Sequence, residues 1–318
     1  MTVEHPARMR AISPSSWGPP EVLREIEVDR PSLQPGEVLV RVKAIGVNPT
    51  DWKSRATGGR RLWKNPPILG FDVSGVVEEV AEGSVLFRPG DEIFGMPHFP
   101  QQAGAYAEYV AGPARQFARK PAGLDHIHAA ALPLAGLTAR QALVDAARVQ
   151  AGDRVLIQAA AGGVGHLAVQ IAKAHGAYVI GTARRSKHDF VRSLGADEVL
   201  DYTEADSVGS LSKVDVVIDL IGAETGQRSV DVLRPGGTLV SLIPRRHGPT
   251  AAAAAAVGVD YTLLVVEPDA EGLKALARMV DSGELRPHVS AVLPLSDARA
   301  AHELGETGRT TGKIVLTP

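Results

Sequence analysis

The sequence predicts an α/β protein in two parts: an antiparallel, barrel-like β segment and a doubly wound parallel sheet with helices on both faces. Three observations lead there. Residues 9–121 carry short runs that alternate apolar and polar side chains, separated by Pro and Gly. From about residue 124, short wholly apolar runs alternate with helical spacings, the pattern of a parallel sheet buried on both sides. One of those apolar runs passes through closely spaced glycines into a helix, "RVLIQAAAGGVGHLAV" over 154–169.

Each element has a local reason. In 37–46, Val38, Val40 and Val42 point one way while Arg41 and Lys43 point the other. Residues 73–80, 91–96 and 105–111 read as further short strands. Asp125 is placed to cap a helix through residue 131; Pro133 ends it, and helical spacing resumes over 138–148. Buried strands follow at 154–158, 178–182, 214–220 and 237–242, with helices at 164–175, 187–194 and 225–233 between them. The alanine run 251–256 reads as a helix turn ended by Gly258, and "YTLLVV" (261–266) as a last strand at the sheet edge. Helices at 270–282 and 296–304 and a strand at 313–316 are expected to return to the first part. The domains expected are therefore 1–123 with 268–318, and 124–267.

Composition narrows the function. The chain has 318 residues, 44% hydrophobic and 22% charged, which suits about two globular domains. A net charge of −2 removes the bulk electrostatic case for a nucleic-acid partner. No apolar run approaches the ~18 residues of a membrane span, and residues 1–13 lack the apolar segment of a signal peptide. There is no cysteine, which excludes disulfides, thiolate nucleophiles and zinc sites with Cys ligands, and fits a cytoplasmic protein. The ten histidines suggest no metal site: His126 and His128 stand two apart on a helix and face different ways, and His98 lies in a loop. Neither a G-x-S-x-G elbow nor a G-x-x-x-x-G-K-[ST] loop is present.

The glycine turn is the strongest chemical signal. Set on G-x-G-x-x-G, the positions fall on Ala160, Gly162 and Gly165, with Gly163 and Val164 between the last two. Gly162 lets the backbone approach a pyrophosphate, Gly165 lets the helix pack closely, and the helix N-terminus offers free N–H groups to the anion. A tight strand–helix turn without a ligand is the alternative. The second strand decides which dinucleotide. It ends in Thr182, Ala183, Arg184, Arg185, Ser186 and Lys187, with three cations and no carboxylate to hold a ribose 2′-hydroxyl. That favours the 2′-phosphate of NADPH. A solvated basic helix start is the other reading, and which cation makes the contact is open.

Five segments in order, "GVNPTDWKSRATG" (46–58), "GFDVSGVVEEV" (70–80), "LPLAGLTARQAL" (132–143), "AAAGGVGHLAVQIAK" (159–173) and "GKIVL" (312–316), resemble the medium-chain dehydrogenase/reductase superfamily, in its zinc-independent quinone oxidoreductase branch. The resemblance spans nearly the whole chain. It implies a GroES-like catalytic domain, a Rossmann domain and a cleft between them holding NADPH. Zinc relatives carry a Cys near the place of Asn48 and Pro49, and a His-Glu pair where this chain has Phe71 and Asp72. Those ligands are missing, as is any four-Cys lobe, so no metal is expected. Without zinc to polarise an alkoxide, the expectation shifts from alcohol oxidation to hydride delivery to an acceptor conjugated to a carbonyl.

The resemblance also nominates site residues. It implies that Asn48 lies beside the nicotinamide, where its amide can donate to a substrate carbonyl; a simple Asn-Pro turn is the alternative. Lys53 is a possible proton donor, with an ion pair to Asp51 as the stronger reading. Thr138 is implied against the nicotinamide or its ribose, or else is a helix-start hydroxyl bonded to backbone. Tyr202, which ends a further Rossmann strand in "VLDY" (199–202), joins the 2′-phosphate pocket or is a rim aromatic. Ile243, at the end of the fourth strand noted, lies where its backbone can meet the nicotinamide amide; Arg245 and Arg246 just beyond it meet an acidic substrate or only solvent. The expected function is NADPH-dependent reduction of a quinone or an α,β-unsaturated carbonyl. A non-catalytic NADPH-binding scaffold or redox sensor, and a pathway-specific tailoring reductase, are the alternatives. An apolar edge at 261–266 further suggests a homodimer.

Overall fold

A computed structural model describes residues 7–59, 63–204, 207–243 and 251–318. The chain divides into two compact units, one of residues 1–137, 267–282 and 287–318, the other of residues 138–266 and 283–286. Residues 124–137, which the sequence assigned to the parallel-sheet part, pack with the first unit.

The first unit is built around Glu37–Val47, the longest strand. One edge of it pairs with Asp72–Val80; along the other, residues 37–41 pair with Tyr109–Pro113 and residues 45–47 with Lys313–Thr317, all antiparallel. Glu92–Gly95 and Phe117–Arg119 extend the sheet on one side, and Val289–Pro294 adds a parallel edge on the other. A hairpin of Arg8–Pro14 and Leu23–Asp29 is bridged to the sheet region through Ala11 and Ala107. The expected alternation holds from Val40 to Lys43, with Val40 and Val42 buried and Arg41 and Lys43 exposed; before it, Leu39 is buried beside Val38, where the pairing register shifts. It then fails, because Ala44 is covered by Ala130 and Ala131 while Ile45 and Val47 join the main core on the opposite face. A strand covered on both faces loses its period of two.

Two helices differ from expectation. A helix not expected from the sequence, Pro49–Thr57, follows Asn48. Pro133 does not only end the Asp125-capped helix His126–Ala130; it opens the next one, Pro133–Arg140, five residues before the expected start. Proline suits a first helical turn, where its missing N–H has no partner to lose. Residues Gln141–Ala146 continue in π-helical form.

The second unit holds six parallel strands, in spatial order Glu198–Leu200, Tyr178–Thr182, Arg154–Ile157, Val214–Asp219, Leu233–Ser241 and Asp260–Leu263. In chain order this is 3-2-1-4-5-6, the doubly wound dinucleotide-binding arrangement, with its switch point between the first and fourth strands. Leu156, Ile180, Val217 and Leu239 are fully buried at its centre. The intervening helices are Gly165–Ala174, His188–Ser193, Ala223–Val232 and Ala251–Ala255. The last strand lies at the edge, as expected, but it is shorter than 261–266 because Val265 is exposed and past the ladder.

Candidate functional site

The glycine turn is made by backbone. Strand Arg154–Ile157 enters it and helix Gly165–Ala174 leaves it. Ala159 adopts a positive φ of 45°, unusual for a residue with a side chain. The turn is tied to the second strand: Thr182 accepts Ala160 N–H with its carbonyl at 2.9 Å and Ala159 N–H with its hydroxyl at 3.1 Å. Thr182 is therefore buried as a brace for the turn. A Cβ at Gly165 would lie 2.2 Å from the Ala159 carbonyl oxygen, so the helix packs onto the turn only as glycine. A Cβ at Gly181 would lie 2.8 Å from the Ala160 methyl. The glycine missing from position 160 is thus compensated by one on the neighbouring strand.

Gly162 N–H is used within the turn, on Ala159 at 2.8 Å. Among the described residues nothing accepts from the N–H groups of Gly163 and Val164, which precede the helix. Unpaired donors at a helix N-terminus suit an anionic diphosphate.

The cations beyond the second strand separate into two groups. Arg184 Nε donates to the Tyr202 hydroxyl at 2.8 Å, and that contact raises the guanidinium's pKa. Lys187 stands near enough to Arg184 that, after burial, its charge is the next cause lowering the ammonium's pKa. Arg185 instead turns to Glu204 at 3.5 Å, with its backbone N–H on Asp201 at 2.8 Å. Tyr202 is half exposed in the turn after Glu198–Leu200. Ile243 is half-buried and its N–H points at the Ser241 hydroxyl, 3.3 Å away. Arg245 and Arg246 lie outside the described residues.

Asp219, at the end of the fourth strand, was not singled out by sequence. It is fully buried, accepts from Ile221 and Gly222 N–H at 3.1 and 2.7 Å, and accepts from the Ser241 hydroxyl at 2.8 Å. It fixes the backbone leaving the switch point. A carboxylate closing the apolar run "VDVVID" was the available signal.

In the first unit, Asn48 sits at the head of helix Pro49–Thr57, where Asp51 accepts its backbone N–H at 2.7 Å. The signal was in the sequence: Asn, then Pro at the first helical position, then an acid at the third. The Asn48 side chain is 1% exposed. Its Nδ2 donates to Asp72 Oδ2 at 2.9 Å and Gly46 O at 3.3 Å, and its Oδ1 accepts from Lys313 Nζ. Both amide hydrogens are committed, so in this geometry Asn48 presents no free donor to a substrate carbonyl. The Asp51–Lys53 pair is likewise not formed: Asp51 is buried, and Lys53 is exposed with no ion pair among the described residues. Thr138 is buried within helix Pro133–Arg140.

A second buried group adjoins this one. The Tyr106 hydroxyl lies 3.4 Å from Asp51 Oδ2 and 3.0 Å from His302 Nε2. Burial, and the charge of Arg55, push the His302 pKa down to about 3, so it is neutral. Burial, then Asp51, push the Tyr106 phenol well up. Arg55 itself is buried against Glu306 at 2.6 Å. The grouping of Asp72 and Lys313 with Asn48, and of Asp51 with Tyr106 and His302, was missed because the partners come from distant segments, Asn48 and Lys313 being 265 residues apart.

Comparison with known proteins agrees with this reading. Residues 34–122 match the model of the alcohol dehydrogenase GroES-like domain, and residues 194–316 match that of the zinc-binding dehydrogenase. The chain is 34% identical over 334 residues to the 2-methylene-furan-3-one reductase of Solanum lycopersicum, covering 100% of this chain and 81% of that protein. It is 35% identical to the chloroplastic NADPH-dependent alkenal/one oxidoreductase of Arabidopsis thaliana, over 98% of this chain and 80% of that one. The solved quinone oxidoreductase of Coxiella burnetii superposes with a TM-score of 0.92 at 37% identity, over 98% of this chain and 99% of that one. A Rossmann sheet, a GroES-like unit and these whole-length likenesses place the chain in one family: it belongs to the medium-chain dehydrogenase/reductase superfamily, in its quinone oxidoreductase branch.

Proposed function

We propose that this chain is an NADPH-dependent, zinc-independent reductase of quinones or α,β-unsaturated carbonyls. The observation that carries the reading is the glycine turn, with its unpaired Gly163 and Val164 N–H groups, in a chain whose whole-length relatives are named as enone, alkenal and quinone reductases. A nicotinamide cofactor bound there supplies a hydride to the electron-poor carbon of the acceptor. The chain's own residues bind and orient it. Gly162, Gly163, Val164 and Gly165 cradle the diphosphate. Arg184 and Lys187, with Tyr202, receive the 2′-phosphate, while Arg185 is drawn off by Glu204. Asn48 and Thr138 are assigned to the reductive site, Asn48 as a fixed part of it. An enolate or hydroquinone oxygen takes its proton from water, so no general acid is required.

No helix among the described residues is long and apolar enough to cross a membrane. The lack of cysteine fits a cytoplasmic setting. The Asp260–Leu263 edge supports a homodimer by continuation of the sheet; a solution mass of one chain by light scattering removes that part.

The test is oxidation of NADPH, followed by absorbance, against quinones, enals and enones, with NADH in parallel. Turnover with NADPH preferred is expected. Tight NADPH binding without turnover on any acceptor would establish a binding scaffold instead.

A further inference from the structure

The cluster around Asn48 has no place in cofactor binding as described, yet it holds three polar side chains in the interior. Exposure is 1% for Asn48, 0% for Asp72 and 3% for Lys313. Removing an ammonium and a carboxylate from water costs several kcal/mol each, and apolar residues of the same volume commonly serve stability as well. Stability alone is therefore a poor account of the pair.

Its geometry suggests a different use. Lys313 Nζ donates to Asn48 Oδ1 and lies 3.5 Å from Asp72 Oδ2. Asp72 Oδ2 accepts from Asn48 Nδ2 at 2.9 Å, so the two charges oblige the Asn48 amide to face one way. A cation on its oxygen and an anion on its nitrogen leave no flipped alternative. The other Asp72 oxygen accepts Leu134 N–H at 2.8 Å, in the first turn of the helix that carries Thr138. One carboxylate thus joins the Asn48 amide to a helix N-terminus, where negative charge is favoured.

We propose that Lys313 and Asp72 are positioning residues of the reductive site, acting together to hold Asn48 and the start of helix Pro133–Arg140 in one arrangement. This rests on the assignment of Asn48 and Thr138 to that site. Burial disfavours the charged form of each partner, lowering Lys313 and raising Asp72, so each depends on the other to remain ionised.

The test separates holding from mere stability. Lys313→Met leaves Asp72 buried without its cation and should lose both thermal stability and turnover. Lys313→Met with Asp72→Asn removes both charges and keeps an oxygen for Leu134 N–H. It should regain most of the melting temperature, while kcat stays at least about tenfold below the parent and KM for NADPH stays within about twofold. Recovery of kcat together with stability would reduce the pair to a structural role and overturn the proposal. So would an unaltered kcat in Lys313→Met. A second readout does not need turnover: the side-chain amide protons of Asn48, identified by their loss in Asn48→Ala, should exchange slowly in the parent and quickly in the double variant. Unchanged exchange overturns the proposal. A parent that turns over no acceptor, but shows this change in exchange, would overturn the reductase reading and leave the holding of Asn48 established.

Discussion

Two polar regions of this molecule are built by opposite means. The glycine turn uses backbone: its donors are N–H groups, and its shape depends on which residues lack a side chain. The Asn48–Asp72–Lys313 group and the neighbouring Asp51–Tyr106–His302 group use side chains, and their shape depends on which of those are charged. A backbone site is damaged by added volume and is indifferent to protons over the ordinary pH range. A side-chain site is damaged by loss of a partner and responds to pH.

The largest effect expected is at Gly165. Its leucine variant would place Cβ 2.2 Å from the Ala159 carbonyl oxygen, on backbone that cannot give way cheaply. NADPH affinity should fall by about 100-fold or more, roughly 3 kcal/mol, with a lowered melting temperature. Affinity within about threefold of the parent, by fluorescence titration, would mean that the turn adapts and the contrast with the side-chain site is overstated.

Next in size is the choice of cofactor. Replacing Arg184 and Lys187 by alanine should remove roughly 2–3 kcal/mol of preference for NADPH over NADH, at ~1.5 kcal/mol per charge-assisted bond. Arg185→Ala should change the preference by less than about threefold, because Arg185 already serves Glu204. An equal loss from Arg185→Ala would show that the resting ion pairs do not report which cation meets the phosphate.

Smallest when read one pH unit at a time is the pH response of the side-chain region. His302 has a folded pKa of about 3 against 6.5 when unfolded, so below pH 6.5 the unfolded chain takes up a proton that the folded chain refuses. Stability should be level above pH 6.5 on this account. It should fall by up to about 1.4 kcal/mol per unit as pH drops from 6.5 towards 3. His302→Phe should remove that part of the slope, so the two proteins' stabilities converge on acidification. Parallel denaturation curves across pH 7 to 4 would show that His302 is not buried as a neutral group.

How much could be read in advance follows the same division. The turn was legible because its meaning is local: apolar run, glycines, helix and basic strand end lie within about forty residues, and the absence of a side chain is itself visible in sequence. The Asn48 helix was also legible in principle, from Asn, Pro and Asp in capping order, a signal easily passed over because an Asn-Pro pair also suits a turn. Lys313 was not. In "GKIVL" it looks like the polar head of a closing strand, and only pairing of Ile314 opposite Val47 brings its ammonium beside Asn48.

By itself the sequence determined the parallel sheet with its edge strand, the glycine turn and the absence of any thiolate chemistry. These depend on composition and on periodicities shorter than one element. Only the tertiary structure decided which of three cations stay near Tyr202, that Asn48 faces inward with its amide spent, and that Asp72 and Lys313 share one interior site. Those outcomes depend on pairings between segments far apart in the chain. Side-chain charge there is set by burial and by neighbours that no local pattern encodes.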